Sequence, residues 1–276
     1  ITGAQQQTGA NMGLIATLPE LMPEHVAEQL MAAGVVPFSG LGDAIAACEA
    51  ASRPLPEDVP QLLLTTPQVE PGLVPEAEAK RRLARFGLRV PKSGRAKSSG
   101  EARAVAADMG FPVVLKGEGV AHKTEAGAVV LNLMSGSAVS EAAAAMPAER
   151  FLVEEMVSGA VAELLIVVVK DPAHGFVLTL AAGGTLTEVM EDSASVLLPA
   201  TDAMIEEALN SLRISKLLDG YRGAPNADRA AILRAVHAVQ DYVLAKPEGL
   251  EEIEINPLLC TPGDAVAADA LMRRKD

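Results

Sequence analysis

The pattern of apolar and polar positions divides the chain into a short opening stretch, a proline-rich connection and a long remainder. In the opening stretch Leu14 to Leu18 is short and apolar, the mark of a strand. Pro23 to Ala33 carries apolar residues at helical spacing (Val26, Leu30, Ala33) and runs into Gly34, a natural helix terminator. Val35 to Phe38 reads as a second strand and Leu41 to Ala51 as a helix of small residues. Strand alternating with helix is the signature of an open parallel sheet, but this stretch is too short to stand alone. Arg53 to Pro75 then holds Pro54, Pro56, Pro60, Pro67, Pro71 and Pro75. Proline at that density removes ladder donors and favours extended chain. A linker is expected there, with Gln61 to Thr65 able to pair as an edge strand.

From Pro75 the periodicity switches repeatedly between helix and strand. Pro75 suits the first turn of a helix carrying Leu83 and Phe86 and closed by Gly87. Ser99 to Met109 and Ser137 to Met146 read as helices, Pro112 to Lys116 and Gly127 to Leu133 as strands. Phe151 to Val157, Ala162 to Lys170 and Phe176 to Ala181 are successive strands. Thr201 caps a helix reaching Leu212, and Asp228 to Ala245 is a longer one. Ile253 to Ile255, Leu258 to Cys260 and Ala265 to Ala268 close the chain as short strands. Strands that follow one another directly point to α+β subdomains, not to one doubly wound sheet.

Composition narrows the partners. The chain has 276 residues, of which 49% are hydrophobic, enough for a packed core. Lys and Arg number 23 against 36 Asp and Glu, a net charge of −13. That surface argues against nucleic acid or an anionic membrane as main partner. The longest apolar runs, such as Leu164 to Val169, fall far short of the roughly 20 residues of a membrane span. Cys48 and Cys260 give neither a disulfide framework nor zinc spacing, and the polar start Ile-Thr-Gly-Ala is no signal peptide. A cytoplasmic protein is the simplest expectation. The first residue is Ile1, not Met, which suggests a piece of a longer polypeptide; a trimmed chain would look the same.

Candidate chemistry lies in five places. Phe111-Pro-Val-Val-Leu-Lys116 ends an apolar strand on a lysine, which a cleft could aim at a phosphate as a compact charge. A lysine snorkelling at a sheet edge would look alike. Gly117 to Gly127 follows, with glycines that let backbone N–H groups approach an anion, the cation Lys123, and His122 as a possible phosphoryl acceptor. It lacks Walker A spacing, and a solvated histidine in a loop is the plainer reading. Glu154-Glu155-Met156-Val157-Ser158, with Glu163 beyond, could frame a small polar ligand, main-chain groups of Met156 and Val157 meeting a base edge; a solvated hairpin turn around Gly159 fits too. Gly183-Gly184 in the turn after a strand allows close backbone approach to a ligand, or marks a tight turn. In Glu251-Glu-Ile-Glu-Ile-Asn-Pro257, alternation places Glu252, Glu254 and Asn256 on one strand face with Ile253 and Ile255 on the other. Such oxygen ligands suit Mg²⁺, and Asp269 could complete the set. His25, His174 and His237 show no partner spacing.

In this order the motifs resemble those of a known family. Phe-Pro-Val-Val-Leu-Lys, His-Lys-Thr-Glu-Ala-Gly, Glu-Met-Val, Gly-Gly-Thr-Leu-Thr-Glu with Asp192, Leu218-Asp-Gly-Tyr-Arg-Gly223 and Glu-Ile-Asn-Pro-Leu258 look like the β, ATP-grasp part of the ADP-forming acetyl- and acyl-CoA synthetases, relatives of succinyl-CoA synthetase. The likeness runs from about Gln68 to Met272. It implies an ATP-grasp fold of two α+β subdomains over 68–276, preceded by a linker at 53–67 and, at 1–52, the tail of a flavodoxin-like α/β CoA-ligase domain. It implies ATP and Mg²⁺ as cofactors, with CoA and a carboxylic acid as substrates of the complete enzyme. Lys116 would hold phosphates, with Lys123 beside it. Glu155, Met156, Val157, Ser158 and Glu163 would serve the adenine and ribose side. Gly183 and Gly184 would approach the nucleotide, Glu254, Asn256 and Asp269 would hold the metal, and His122 would relay a phosphoryl group. The fused relatives usually assemble, so a homo-oligomer is possible. Departures occur at Gly127-Ala128, where relatives carry Gly-Gly, and at the turn Ala181-Ala182-Gly183-Gly184. Two other readings stay open: a nucleotide-sensing or scaffolding module without turnover, and an ATP-grasp ligase joining an acid to an amine.

Overall fold

The structure is a computed structural model that describes residues 1–52, 61, 63–64, 71–119, 127–184 and 192–275. The chain divides into two compact units, Ile1–Val59 and Pro60–Asp276.

In the first unit helix α1 (Thr2–Thr8) precedes strand β1 (Met12–Ile15), helix α2 (Glu24–Ala32), strand β2 (Val35–Phe38) and helix α3 (Leu41–Ser52). β1 and β2 pair in parallel with Met12 opposite Val35 and Ile15 opposite Phe38. A parallel pair needs a crossover, and α2 supplies it. Gly34 then turns the chain at φ +74°, a conformation that suits glycine. Ala16, Met22, Leu30 and Val35 form a small core. The first strand thus lies two residues earlier than the Leu14–Leu18 run suggested. Pro19–Leu21 instead makes a single 3₁₀ turn, since Pro19 supplies no ladder donor.

The second unit holds two sheets. Helix α4 (Glu76–Ala84) follows strand β3 (Gly72–Val74), which sits within the proline-rich stretch expected to be linker. Strand β4 (Ser93–Ala96), helix α5 (Ser99–Met109), β5 (Val113–Gly117), β6 (Val129–Leu133), α6 (Gly136–Ala145) and β7 (Phe151–Glu155) form the first lobe. Its four-stranded sheet runs β4-β7-β5-β6. Ser98 and Ser135 cap α5 and α6 through Glu101 N–H and Ala138 N–H. Ala102, Ala106, Val139 and Ala143 bury one stripe of these helices against Val113, Leu115 and Val153 of the sheet.

Strands β8 (Ala162–Asp171), β9 (Gly175–Ala182) and β10 (Ser193–Leu197) lead into helices α7 (Asp202–Ser211), α8 (Ser215–Leu218) and α9 (Arg229–Ala245), then β11 (Leu250–Cys260), β12 (Ala265–Ala267) and β13 (Ala270–Arg274). Among the described residues these strands make a seven-stranded sheet in the order β10-β9-β8-β11-β13-β3, with β12 on β11. Ile232, Val236, Val239 and Val243 recur along α9 at helical spacing and join Ile253, Ile255, Leu164 and Ile166 of the sheet in one large core. Each fully buried aliphatic side chain contributes about 1.5–3 kcal/mol.

Three boundaries depart from the sequence reading. The expected strands 253–255 and 258–260 are one strand, whose register shifts between Ile255 and Leu258. β13 continues the chain beyond the expected last strand. The 61–65 segment is described at 61 and 63–64 alone, none of them in a strand, and its remaining residues lie outside the described ones.

Candidate active site

Strand pairing decides which side chains can meet. In the first lobe Lys116 of β5 lies opposite Leu152 of β7, and Val114 opposite Glu154. Cross-strand neighbours share a face and successive residues alternate, so Lys116 and Glu154 emerge on the same side of the sheet. The next residue, Glu155, points the other way. Its carboxylate accepts from Arg89 at 2.7 Å. Burial opposes ionisation of Glu155, but the Arg89 hydrogen bond and the Lys92 neighbourhood outweigh it and hold the carboxyl below its ordinary range.

Lys116 is buried, 6% exposed. Its ammonium donates to Glu76 Oε1 at 2.7 Å and to the Ala268 carbonyl at 2.7 Å, and lies 3.0 Å from Glu154 Oε2. Lys80, four residues after Glu76 on α4, reaches the same partners: Glu76 Oε1 at 2.8 Å, Glu154 at 2.8 and 3.0 Å, and the Ala268 carbonyl. Burial would lower the Lys116 pKa. The carboxylates of Glu76, Glu154 and Asp269 overcome that and raise it above the ordinary lysine value.

The rest of the cleft lining belongs mainly to the second lobe. Ile253 and Ile255 are fully buried, while Glu254 and Asn256 are half-exposed on the other face of β11, as alternation requires. Asn256 donates from Nδ2 to Glu254 Oε1 at 3.3 Å and accepts the Gly184 N–H on Oδ1 at 3.3 Å. Asp269 stands between β12 and β13, its Oδ1 accepting the Ala270 N–H at 2.7 Å. Lys116, Glu76, Glu254, Asn256 and Asp269 line one cleft of about 1050 Å³, which also has Leu152 and Leu271 on its walls and Arg95, Lys97, Arg150 and Arg273 around it.

The remaining expected residues distribute as follows. Glu163, Gly183 and Gly184 adjoin the metal-ligand candidates: Gly183 donates to the Glu163 carbonyl at 2.8 Å, and Gly184 packs against the Glu163 carboxylate. The backbone at Gly184, with φ +75°, favours glycine where the β9 turn passes Glu163. Glu155, Met156, Val157 and Ser158 are not among the residues lining this cleft. The Met156 N–H is taken by the Pro112 carbonyl at 3.1 Å, so a base edge would have to use the Met156 carbonyl or Val157. His122 and Lys123 lie outside the described residues.

Sequence reasoning missed Glu76, Lys80 and Glu154 as neighbours of Lys116. The i, i+4 spacing of Glu76 and Lys80 was the available signal, but on a helix that spacing usually marks a solvated surface pair.

Among the described residues no three His, Cys, Asp or Glu side chains converge on a point that could hold a metal ion. A cation here would take Glu254, Asp269 and the Asn256 amide oxygen, with ligand or water oxygens completing its shell. Mg²⁺, which binds few carboxylates and keeps waters, fits that hard-oxygen set. The fold comprises two α+β lobes, with a cleft that brings a buried ammonium together with carboxylate and amide oxygens. The chain belongs to the ATP-grasp domain family, whose model matches residues 68–273. It is 34% identical over 218 residues to trans-feruloyl-CoA synthase FCS1 from an unidentified prokaryote, covering 73% of this chain and 30% of that protein. It is 27% identical to the beta subunit of ADP-forming acetate–CoA ligase I of Pyrococcus furiosus, covering 71% of this chain and 90% of that subunit. A solved dinucleotide-forming acetyl-coenzyme A synthetase 1 of Ca. Korarchaeum cryptofilum, in complex with coenzyme A, Ca-AMPCP and HgCl⁺, superposes with TM-score 0.68 at 26% identity, covering 84% of this chain and 99% of that one. The chain spans about 30% of the length of the first curated relatives it matches.

Proposed function

We propose that this chain is the ATP-using part of an ADP-forming acyl-CoA synthetase, which converts a carboxylic acid, CoA and ATP into acyl-CoA, ADP and phosphate through an acyl phosphate and a phosphohistidine. The observation that carries the reading is the cleft that Lys116 lines together with Glu254, Asn256 and Asp269. Bound Mg²⁺ would neutralise phosphate charge there. Lys116 would hold a phosphate as a point charge, and the apolar side chains of Leu152 and Leu271 would exclude water around it. Glu254, Asn256 and Asp269 would fix the metal-side oxygens, and Gly184 would set Asn256 by its N–H. Glu163 lies against that turn, and Val157 and Ser158 remain the base-side and ribose-side candidates. His122, with Lys123 beside it, would accept the phosphoryl group and pass it on. Phosphoryl transfer asks chiefly for such positioning and charge neutralisation.

The CoA-handling portion would lie outside this chain, with residues 1–52 as the tail of a flavodoxin-like domain and 53–67 as the linker. That fits the large share of the relatives' length that the chain does not span. A second copy of the complete enzyme is a further possible partner. Cys48 and Cys260 are both free, which suits a reducing cytoplasm.

The test is made on the intact protein with γ-labelled ATP and magnesium. ADP release should require both a carboxylic acid and CoA, and acid-labile protein phosphate should appear and fall in His122→Ala. Release driven by an amine without CoA, or none with any acid, would overturn the ligase reading. Unchanged labelling in the variant would remove His122 from the relay.

A further inference from the structure

The Lys116 ammonium donates to Glu76 and to the Ala268 carbonyl and forms an ion pair with Glu154, each within 3.0 Å. Lys80 touches the same acceptors. The two lysines and two glutamates are formally neutral together, so this cluster by itself offers no net charge to an anion. The members differ in position, however. Glu76 lines the cleft from the first turn of α4, whereas Glu154 is 2% exposed and Lys80 3% exposed and neither lines it. Lys116 itself lines the cleft on a flexible four-carbon stem.

We infer that Glu76 is a resident carboxylate that competes with nucleotide phosphate for Lys116, and that Lys80 is a positioning residue that keeps Glu76 and Glu154 neutralised when Lys116 turns to the phosphate. The inference rests on the nucleotide-binding reading above. Binding is an exchange: the Lys116 ammonium gives up the Glu76 carboxylate and gains a phosphate oxygen, with no covalent change. Because Lys80 duplicates the contacts of Lys116, the buried glutamates keep a cation throughout. Without Lys80 they would lose one of the two ammonium groups they share, and the exchange would cost more.

Charge removal at the two positions should therefore act in opposite directions. A merely structural cluster would weaken binding in both. Mg-ADP is titrated calorimetrically into the chain, into the near-isosteric Glu76→Gln, into Lys80→Gln and into the double variant, with thermal unfolding followed for each. Glu76→Gln should bind about tenfold tighter, the scale of one charge-assisted hydrogen bond released from competition. Lys80→Gln should bind about tenfold weaker on the same scale, and the double variant should return towards the starting affinity. In a Lys116→Met background, Glu76→Gln should have no effect on whatever binding remains. Binding by the unsubstituted chain with Glu76→Gln equal or weaker overturns this inference alone. No Mg-ADP binding by the unsubstituted chain overturns it together with the nucleotide reading. Should Lys80→Gln unfold, the sign of the Glu76→Gln effect decides by itself.

Discussion

Two strands of the second unit carry a buried lysine one residue before their last, and the surroundings of the two lysines differ. Lys116 closes the run Val113-Val-Leu and Lys170 the run Leu164-Leu-Ile-Val-Val-Val, so both follow the same local pattern. Lys170 pairs with Glu251 at 3.3 Å near the other end of β8, and neither residue lines the Lys116 cleft. Lys116 instead has carboxylates from α4 and β7 at its ammonium, and Asp269 close enough to raise its pKa. An apolar strand ending on lysine is thus no signature in itself; what matters is which other strand ends arrive beside it. The largest effect expected from this contrast is on nucleotide affinity. Lys116→Ala should weaken Mg-ATP binding by about a hundredfold, as expected for losing a charged contact to phosphate. Lys170→Ala should leave it within about twofold while lowering stability by about 1–3 kcal/mol through the lost ion pair and the space left by the buried Lys170 side chain. Titration calorimetry and denaturant unfolding on the same samples give both numbers. Equal losses of affinity in the two variants would erase the distinction.

A smaller effect separates two parts of the cleft lining. In the proposed function Lys116 holds phosphate as a charge, whereas Asp269 holds the metal. Asp269→Asn keeps shape and removes charge, so the Mg²⁺ concentration needed for half-maximal nucleotide binding should rise by about tenfold, near the cost of one charge-assisted contact. Binding measured without magnesium should be no weaker than before. If the variant lost metal-free binding as severely as metal-supported binding, Asp269 would belong with the phosphate wall and not with Glu254 and Asn256.

The same contrast explains what was legible in the sequence. The acid row on β11 could be read because alternation is local: Ile253 and Ile255 had to be buried, which turned Glu254 and Asn256 outwards. The helices were equally readable, since Thr201 and Asp228 cap α7 and α9 through Met204 N–H and Ala231 N–H. β4 was not readable: Ser93-Gly-Arg-Ala has one buried residue, Ala96, and owes its pairing to β7. β13 was missed for a related reason, since Ala270 to Arg274 ends in charges and is held by β11 and β3. The partners of Lys116 were the hardest to see. Lys80 and Glu154 lie 74 residues apart in sequence and meet because α4, packed in the core of the second lobe, presents Lys80 to β7 of the first, and no local pattern encodes that. Glu155, which the family resemblance places on the adenine and ribose side, pairs with Arg89 on the opposite side of the strand from Glu154.

The smallest expected effect is one of pH, and it probes whether Lys116 stays charged while it works. Its folded-state pKa is raised above the ordinary 10.5, because Glu76, Glu154 and Asp269 together outweigh burial. For a group shifted upwards, the stabilisation is fully present below the unfolded-state pKa and is lost only as pH rises through the folded one. Lys116 should therefore contribute no change in stability or nucleotide affinity between about pH 8 and pH 9.5, a window below the unfolded lysine pKa of about 10.4. Glu155 is the counterexample on the other side of the sheet. Its pKa is lowered below 4.5, so its contribution is present above that value and disappears as pH falls through the lower folded one. Unfolding followed from acid to alkaline pH should show an acid-side loss that Glu155→Gln diminishes. Across the alkaline window Lys116→Arg should have the same flat profile as the unsubstituted chain. A fall in affinity within that window, present with lysine and abolished by arginine, would mean that the three carboxylates do not hold the proton on Lys116, and that desolvation decides the charge on this wall of the cleft.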